Sequence, residues 1–428
     1  MYRDSLNKEN DQNSQKIFWL VWISYAAFYL TRVNMSIAIP EIINEYPAIS
    51  KTVMGSVLTV FFVTYAVGQF VNSHLVDRYG GKKILAIGII VSSFINIIFG
   101  FLAGNVILML LLWGLNGFFQ SMGWSSAVKT IANWFTSKTR GREAGLLGTS
   151  YLIGNGLSLV FAGFLVSILN WRWIFWIPAA ICILVAILWI FKSSDTPAEA
   201  SPSSVGKEYG TGHEPAETEN QYPGFKPTVK LVLLNKGMWI IAVSMFFLDF
   251  IRIGLMFWAI TYIFETEKVA VSIAAFRIMI IPISGSIGAY FSSWFAGRFL
   301  KRWGVRIIPL MLFLLVIFCF LFLFIFKDNW ILSIWMLVFI GFFLYGPHVL
   351  ISSFLPIELV PHKASASAAG FVSGLAYTGS ALTSFLSGFL ADNFGWNSVF
   401  YMWISGGIAA AVLMSFLWNY KPIKKSYN

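Results

Sequence analysis

The chain has 428 residues, 57% of them apolar and only 11% charged, with a formal net charge of +11. A soluble domain carries about 25% charged residues, so the composition excludes the ordinary water-soluble classes and points to a chain solvated by lipid. Two cysteines, Cys182 and Cys319, both inside apolar runs, give neither a disulfide framework nor a metal-ligand spacing.

The first 15 residues are polar and contain no apolar h-region, so no cleaved signal peptide is expected and the first apolar segment itself should insert. A membrane-spanning helix needs about 20 mostly apolar residues. In chain order, twelve segments qualify: 17–39, 54–75, 84–103, 105–127, 144–168, 172–191, 238–263, 271–295, 306–326, 330–352, 366–390 and 397–418. The expected fold is therefore an all-α membrane protein of twelve transmembrane helices. Residues 192–236 interrupt the series with a stretch rich in Ser, Pro, Glu and Gly, expected to be a mobile linker. The expected organisation is an N-tail (1–16), a six-helix bundle (17–191), the linker, a second six-helix bundle (237–418) and a C-tail (419–428).

Loop charges predict the orientation. With the N-terminus inside, the cytoplasmic segments hold 22 Lys and Arg and the outer loops hold four: Lys51, Arg172, Lys268 and Lys327. Cytoplasmic loops favour Lys and Arg, so both termini are expected inside, in the plasma membrane or, for a bacterial source, the inner membrane. The same bias accounts for the net charge without nucleic-acid binding. The two halves also repeat. "NWRWIFW" (170–176) and "GWNSVFY" (395–401) open spans 6 and 12, and "DRYGGKK" (77–83) and "GRFLKRWGVR" (297–306) follow spans 2 and 8. Two six-helix bundles related by a pseudo-twofold axis place a substrate site between them near the bilayer midplane.

Four basic residues fall inside spans or at a span's end: Arg32, Lys129 (near the cytoplasmic end of span 4), Arg252 and Arg277. A cation at mid-membrane costs at least about 2.5–3.5 kcal/mol, so it needs a wet cavity or a partner. Arg32 in span 1 and Arg252 in span 7 occupy similar depths in equivalent first helices, at about 1.5 Å rise per residue. They are expected to face each other across the central cleft as an anion clamp. Lys129 is expected to snorkel to the interface and Arg277 to be interfacial. Six tyrosines lie at or near mid-depth: Tyr25, Tyr29, Tyr65, Tyr151, Tyr345 and Tyr377. Any one suits a bundle core; together with two arginines they offer hydrogen bonds to an oxyanion. The glycines of "GNG" (154–156) and "FVSGLAYTGS" (371–380) are expected to permit close helix packing.

These residues resemble the major facilitator superfamily. "DRYGGKK", with Asp77, Arg78 and Gly81, is similar to its gating-loop signature D-R-x-G-R-K. More narrowly, the chain resembles the organophosphate:phosphate antiporters, which carry glycerol 3-phosphate and hexose phosphates. The likeness lies in "YLTRVNMSIAIP" on helix 1, "GFFQSMGWSSAVKTIANWF" on helix 4, "GFFLYGPHVLI" on helix 10 and "ELVPHKASASAAGFVSGLAYTGS" on helix 11. The resemblance implies that Arg32 and Arg252 clamp phosphate and that Tyr25, Tyr29, Tyr65, Tyr345 and Tyr377 line the site. This chain departs from the pattern at Gln69, where relatives have lysine, at Tyr151, where some have histidine, and at Asp249, where one has tyrosine. Ser125 and Ser126 replace the two prolines of the helix-4 signature.

Counting Arg32, Arg252 and Asp249, the site carries a net charge of +1, which favours a monoanion over a dianion. Asp249 and Arg252 are three residues apart on one helix and can pair. Asp249 could be a fixed partner, a proton carrier or a bystander in packing, and all three are open in the sequence. The expected function is alternating-access transport of a small organic anion, a phosphate ester, with phosphate as counter-substrate and no cofactor. A proton-coupled carboxylate symporter and a sugar-phosphate sensor are the alternatives. No phosphate-binding G-x-x-x-x-G-K-[ST] loop is present, and His74, His213, His348 and His362 show no metal or triad spacing. The chain is expected to be monomeric.

Overall fold

The computed structural model describes residues 2–200, 231–325, 329–360 and 365–419, and their regular structure is helical throughout. The chain divides into two compact units, residues 1–38 with 63–220 and residues 39–62 with 221–428. The first holds α1 (Tyr2–Phe28), a 3₁₀ turn (Tyr29–Thr31) and the start of α2 (Asn34–Glu45). It continues with the second part of α3 (Lys51–Tyr79), α4 (Gly81–Leu102), α5 (Val106–Gln120), α6 (Met122–Trp134), α7 (Ser137–Ile168), α8 (Trp173–Lys192) and the short α9 (Pro197–Ala200). The second unit holds the rest of α2 and α3, then α10 (Lys236–Glu267), α11 (Val271–Ile278), α12 (Ile280–Trp303), α13 (Ile307–Ile325) and α14 (Trp330–Val349). A π turn (Leu350–Phe354), α15 (Leu355–Leu359), α16 (Ser365–Phe394) and α17 (Trp396–Ser415) complete it.

Each predicted span falls on helix. Among the described residues, ten stretches are long and apolar enough to cross a membrane. The other two are 17–39, which is interrupted, and 366–390, which α16 contains but dilutes with Gly, Ser and Thr. Asparagines start three of the helices. The side chains of Asn105, Asn235 and Asn329 accept backbone N–H bonds at the starts of α5, α10 and α14, the donors that a helix leaves unpaired. In the first unit α4 packs on α5, α6 and α8; in the second α10 packs on α16 and α17, and α12 on α14. Large buried side chains fill the interiors, with Trp113 and Phe99 in the first unit and Trp258, Trp403 and Tyr262 in the second.

The interruption of span 1 is the main departure from a simple helix. The 3₁₀ turn leaves carbonyls without their usual i+4 partners, and lipid offers no substitute donor. Side chains supply them. Asn96 Nδ2 and Asn116 Nδ2 donate to Thr31 O at 3.1 and 3.0 Å, and Gln120 Nε2 donates to Phe28 O at 3.1 Å. Asn34 Nδ2 in turn donates to Asn96 Oδ1 at 2.9 Å. A polar stripe on α4 and α5 thus holds the break open in an otherwise apolar bundle.

The start of the expected linker is tied down. Asp195 Oδ1 accepts from Lys82 N at 2.7 Å, at the first turn of α4. Asn133 Nδ2 donates to Asp195 O at 3.1 Å, and Trp134 Nε1 donates to Ser194 O at 3.0 Å. The first residues of the expected linker, 194 and 195, are thus held against α4 and α6; residues 201–230 of it lie outside the described residues.

Candidate functional site

In the first unit, the broken helix presents Arg32, which is 9% exposed. Its Nε donates to Gln120 Oε1 at 3.1 Å and its Nη1 to Tyr29 Oη at 3.3 Å. The guanidinium carbon stands 4.6 Å from the Tyr29 ring centre and 4.9 Å from that of Tyr65, within cation–π range. Tyr25 and Tyr29 have ring centres 6.0 Å apart, and Tyr29 and Tyr151 6.5 Å. So Arg32, Tyr25, Tyr29, Tyr65 and Tyr151 form one cluster. Gln69 lies one turn beyond Tyr65 on α3, half-buried. Gly123 lets the aromatic side approach: a Cβ there would sit 3.0 Å from the Tyr25 ring.

In the second unit, α10 runs unbroken past Arg252. Arg252 Nε donates to Asp249 Oδ1 at 2.7 Å and Nη2 to Asp249 Oδ2 at 2.9 Å. This is the bidentate fork-to-carboxylate geometry. Asp249 is also met by His348 Nε2 at 3.3 Å and Ser380 Oγ at 3.4 Å. Tyr345, 1% exposed, has its ring 6.0 Å from that of His348. Tyr377, half-buried, lies three residues before Ser380 on α16.

The other two basic residues, Lys129 and Arg277, each have an acidic partner. Lys129 Nζ bonds Asp77 Oδ1 at 2.8 Å, an exposed pair that ties it to the loop signature. Arg277 is held by Glu267 in a half-buried ion pair. Of the remaining loop residues, Arg78 packs on the ring of Tyr79 with its guanidinium carbon 5.2 Å from the centre. Gly81 is buried with space taken by Ser126 and Thr130. Packing roles for the glycines divide: a Cβ on Gly154 would meet the backbone of Ala26, whereas Gly374 has nothing within 4 Å.

Sequence reasoning missed two residues. Gln120 sits in the helix-4 stretch GFFQSMGW, where its type alone signals no role. Its amide accepts from Arg32 while donating to Phe28 O, Thr31 Oγ1 and Ser92 Oγ. Polar spacing on α4 and α5 (Ser92, Asn96, Asn116, Gln120) was the available signal. The spacing of the histidines to one another gives His348 no role. The useful signal was its depth, three residues after Tyr345 in an apolar span.

The family model of the Major Facilitator Superfamily matches residues 21–375 and again 295–427. The glycerol-3-phosphate transporter of Bacillus subtilis is 31% identical over 94% of this chain and 92% of its own. A "Probable hexose phosphate transport protein" of Chlamydia trachomatis is 28% identical, covering 94% and 91%. The membrane sensor protein UhpC of Escherichia coli is also 28% identical, covering 94% and 91%. In structure, a bacterial homologue of the human lysosomal transporter Spinster superposes with a TM-score of 0.73 at 16% identity over 95% of both chains, a likeness of fold. The chain belongs to the Major Facilitator Superfamily and, within it, to the organophosphate:phosphate antiporter family, a class of multi-pass membrane transporters.

Proposed function

We propose that this protein is a secondary transporter of phosphate esters, of the size of glycerol phosphate or a hexose phosphate. The observation that carries the reading is the buried Arg32 guanidinium, set on a broken membrane helix among four tyrosines, in a chain 31% identical to a glycerol-3-phosphate transporter. Arg32 and Arg252 each contribute a planar donor fork to the phosphoryl group. Tyr25, Tyr29, Tyr65, Tyr151, Tyr345 and Tyr377 and Gln69 supply hydrogen bonds and apolar walls to the rest of the solute. The two-handed bond with Arg252 supports Asp249 as a fixed partner that lowers the positive charge offered to the anion.

The reading includes the two-bundle organisation, both termini in the cytoplasm, residence in the plasma or inner membrane, a monomer, and exchange for inorganic phosphate. Asp77, Arg78 and Gly81 serve as a gating loop. Purified protein in proteoliposomes preloaded with phosphate should take up labelled glycerol 3-phosphate or glucose 6-phosphate by counterflow. The similarity to a membrane sensor favours one rival: binding of the ester without counterflow would replace transport by sensing.

A further inference from the structure

We propose that His348 is the proton-binding, charge-setting residue of the anion site: its imidazole takes up a proton as the phosphate ester binds Arg252. This rests on the phosphate-ester reading above. His348 lies on α14 with its side chain 14% exposed, and its Nε2 is 3.3 Å from Asp249 Oδ1. An ionised carboxylate can only accept, so Nε2 carries the hydrogen of the neutral ring. Nδ1 then presents a bare lone pair. It is buried and has no hydrogen-bond donor among the described residues. That is where a proton adds.

The charge sum gives the addition its purpose. With the imidazole neutral, Asp249 cancels Arg252, and the α10 cluster offers an anion no net charge. A proton on Nδ1 makes the ring an imidazolium, and the cluster becomes +1. Asp249 is then balanced from the histidine side, so the Arg252 fork can turn its hydrogen bonds to a phosphoryl oxygen without leaving a carboxylate unbalanced. Anion and proton thus favour each other's binding, as linkage requires.

The groups around His348 leave it in control of this change. Among the described residues, Asp249 and Arg252 from α10 are the charged groups that face it, with Tyr345 from its own helix. Among the other helices packed against α14, α13 brings the buried thiol Cys319, and α12 brings Tyr290, 75% exposed, and the exposed Arg298. Arg277 of α11 is neutralised by Glu267.

The test mixes the full-length protein in detergent with glycerol 3-phosphate at about pH 8, where the monoester is a dianion, and follows the pH of a weakly buffered solution. The expected result is net proton uptake approaching one per site occupied. His348→Gln keeps a donor toward Asp249 but cannot be charged; its uptake should vanish. Affinity of the parent should fall by about tenfold per pH unit relative to that variant. His348→Arg, a fixed cation, should bind the ester without proton uptake. Ester binding by the parent with no proton uptake overturns the proposal while transport of phosphate esters stands. Equal uptake in the parent and either variant also overturns it. If the parent binds no phosphate ester at all, the functional reading fails and this proposal falls with it.

Discussion

Arg32 and Arg252 occupy matching places in the sequence, yet their surroundings differ in kind. Arg32 is oriented by an amide and two phenol rings, Arg252 by a carboxylate. Lysine would keep either charge but lose the planar fork. Arg32→Lys and Arg252→Lys should each lower uptake by about ten- to a hundredfold, the worth of one charge-assisted hydrogen bond, at unchanged membrane amount. Uptake close to the parent in both variants would remove the clamp. Gln120 is the positioning partner of Arg32. In Gln120→Glu a carboxylate would stand beside the guanidinium and neutralise it. That variant should insert normally and bind phosphate esters weakly. Gln120→Leu should instead lower thermal stability by about 1–3 kcal/mol, because the Arg32 Nε–H loses its amide acceptor and the Phe28 carbonyl keeps Thr31 Oγ1 but loses the Gln120 amide. Parent-like binding in the Glu variant would show that Gln120 supports the break and does not tune the anion site.

At the scale of elements, the broken span 1 and the start of α3 show how polar groups fix helix ends. Asp392, beyond the predicted end of span 11, caps α3 from a distant part of the chain. Its Oδ2 accepts from Thr52 N and Thr52 Oγ1, both at 2.7 Å, and its Oδ1 from Lys51 N at 3.3 Å. Lys51 Nζ bonds Glu265 Oε1 at 3.0 Å. Burial pushes the Asp392 carboxyl up, but the Thr52 hydrogen bonds outweigh it and hold the group below its ordinary value. A depressed folded-state value means the cap contributes fully above the ordinary carboxylate range. The contribution is lost as pH falls through the folded value. Asp392→Ala should therefore cost about 1 kcal/mol at neutral pH, the usual worth of an N-cap, and progressively less in acid. Thermal unfolding in detergent over a pH series reads this. A stability gap that is the same at pH 3 and pH 7 would rule out the carboxylate cap. In the other element, Asn116→Leu should destabilise the first unit by about 1–3 kcal/mol, because Thr31 O keeps only Asn96 as a side-chain donor.

For the whole molecule, orientation decides what the transporter can reach. The loop count of 22 cytoplasmic against four outer basic residues predicts that position 210 is inside. The native thiols, Cys182 and Cys319, are both buried and give a silent background. A cysteine introduced at 210 should resist an impermeant maleimide in intact cells and react after permeabilisation. Rapid labelling from outside would invert the topology and with it the direction of transport. The sequence alone determined the membrane class, the twelve apolar segments, the matching depths of Arg32 and Arg252 and the three-residue spacing of Asp249 and Arg252; that the last two residues pair was decided by the structure. Each of the sequence features follows from local composition or from helical spacing, which a linear chain displays. It also carried the family likeness in the quoted helix segments. Only the tertiary structure decided the rest. The break at Tyr29–Thr31 contains neither Pro nor Gly, so no local rule foretells it. It persists because Asn96, Asn116 and Gln120, 65 to 92 residues away along the chain, satisfy the carbonyls it exposes. Likewise His348 reaches Asp249 only because α14 packs on α10, an alignment that no periodicity within either helix encodes.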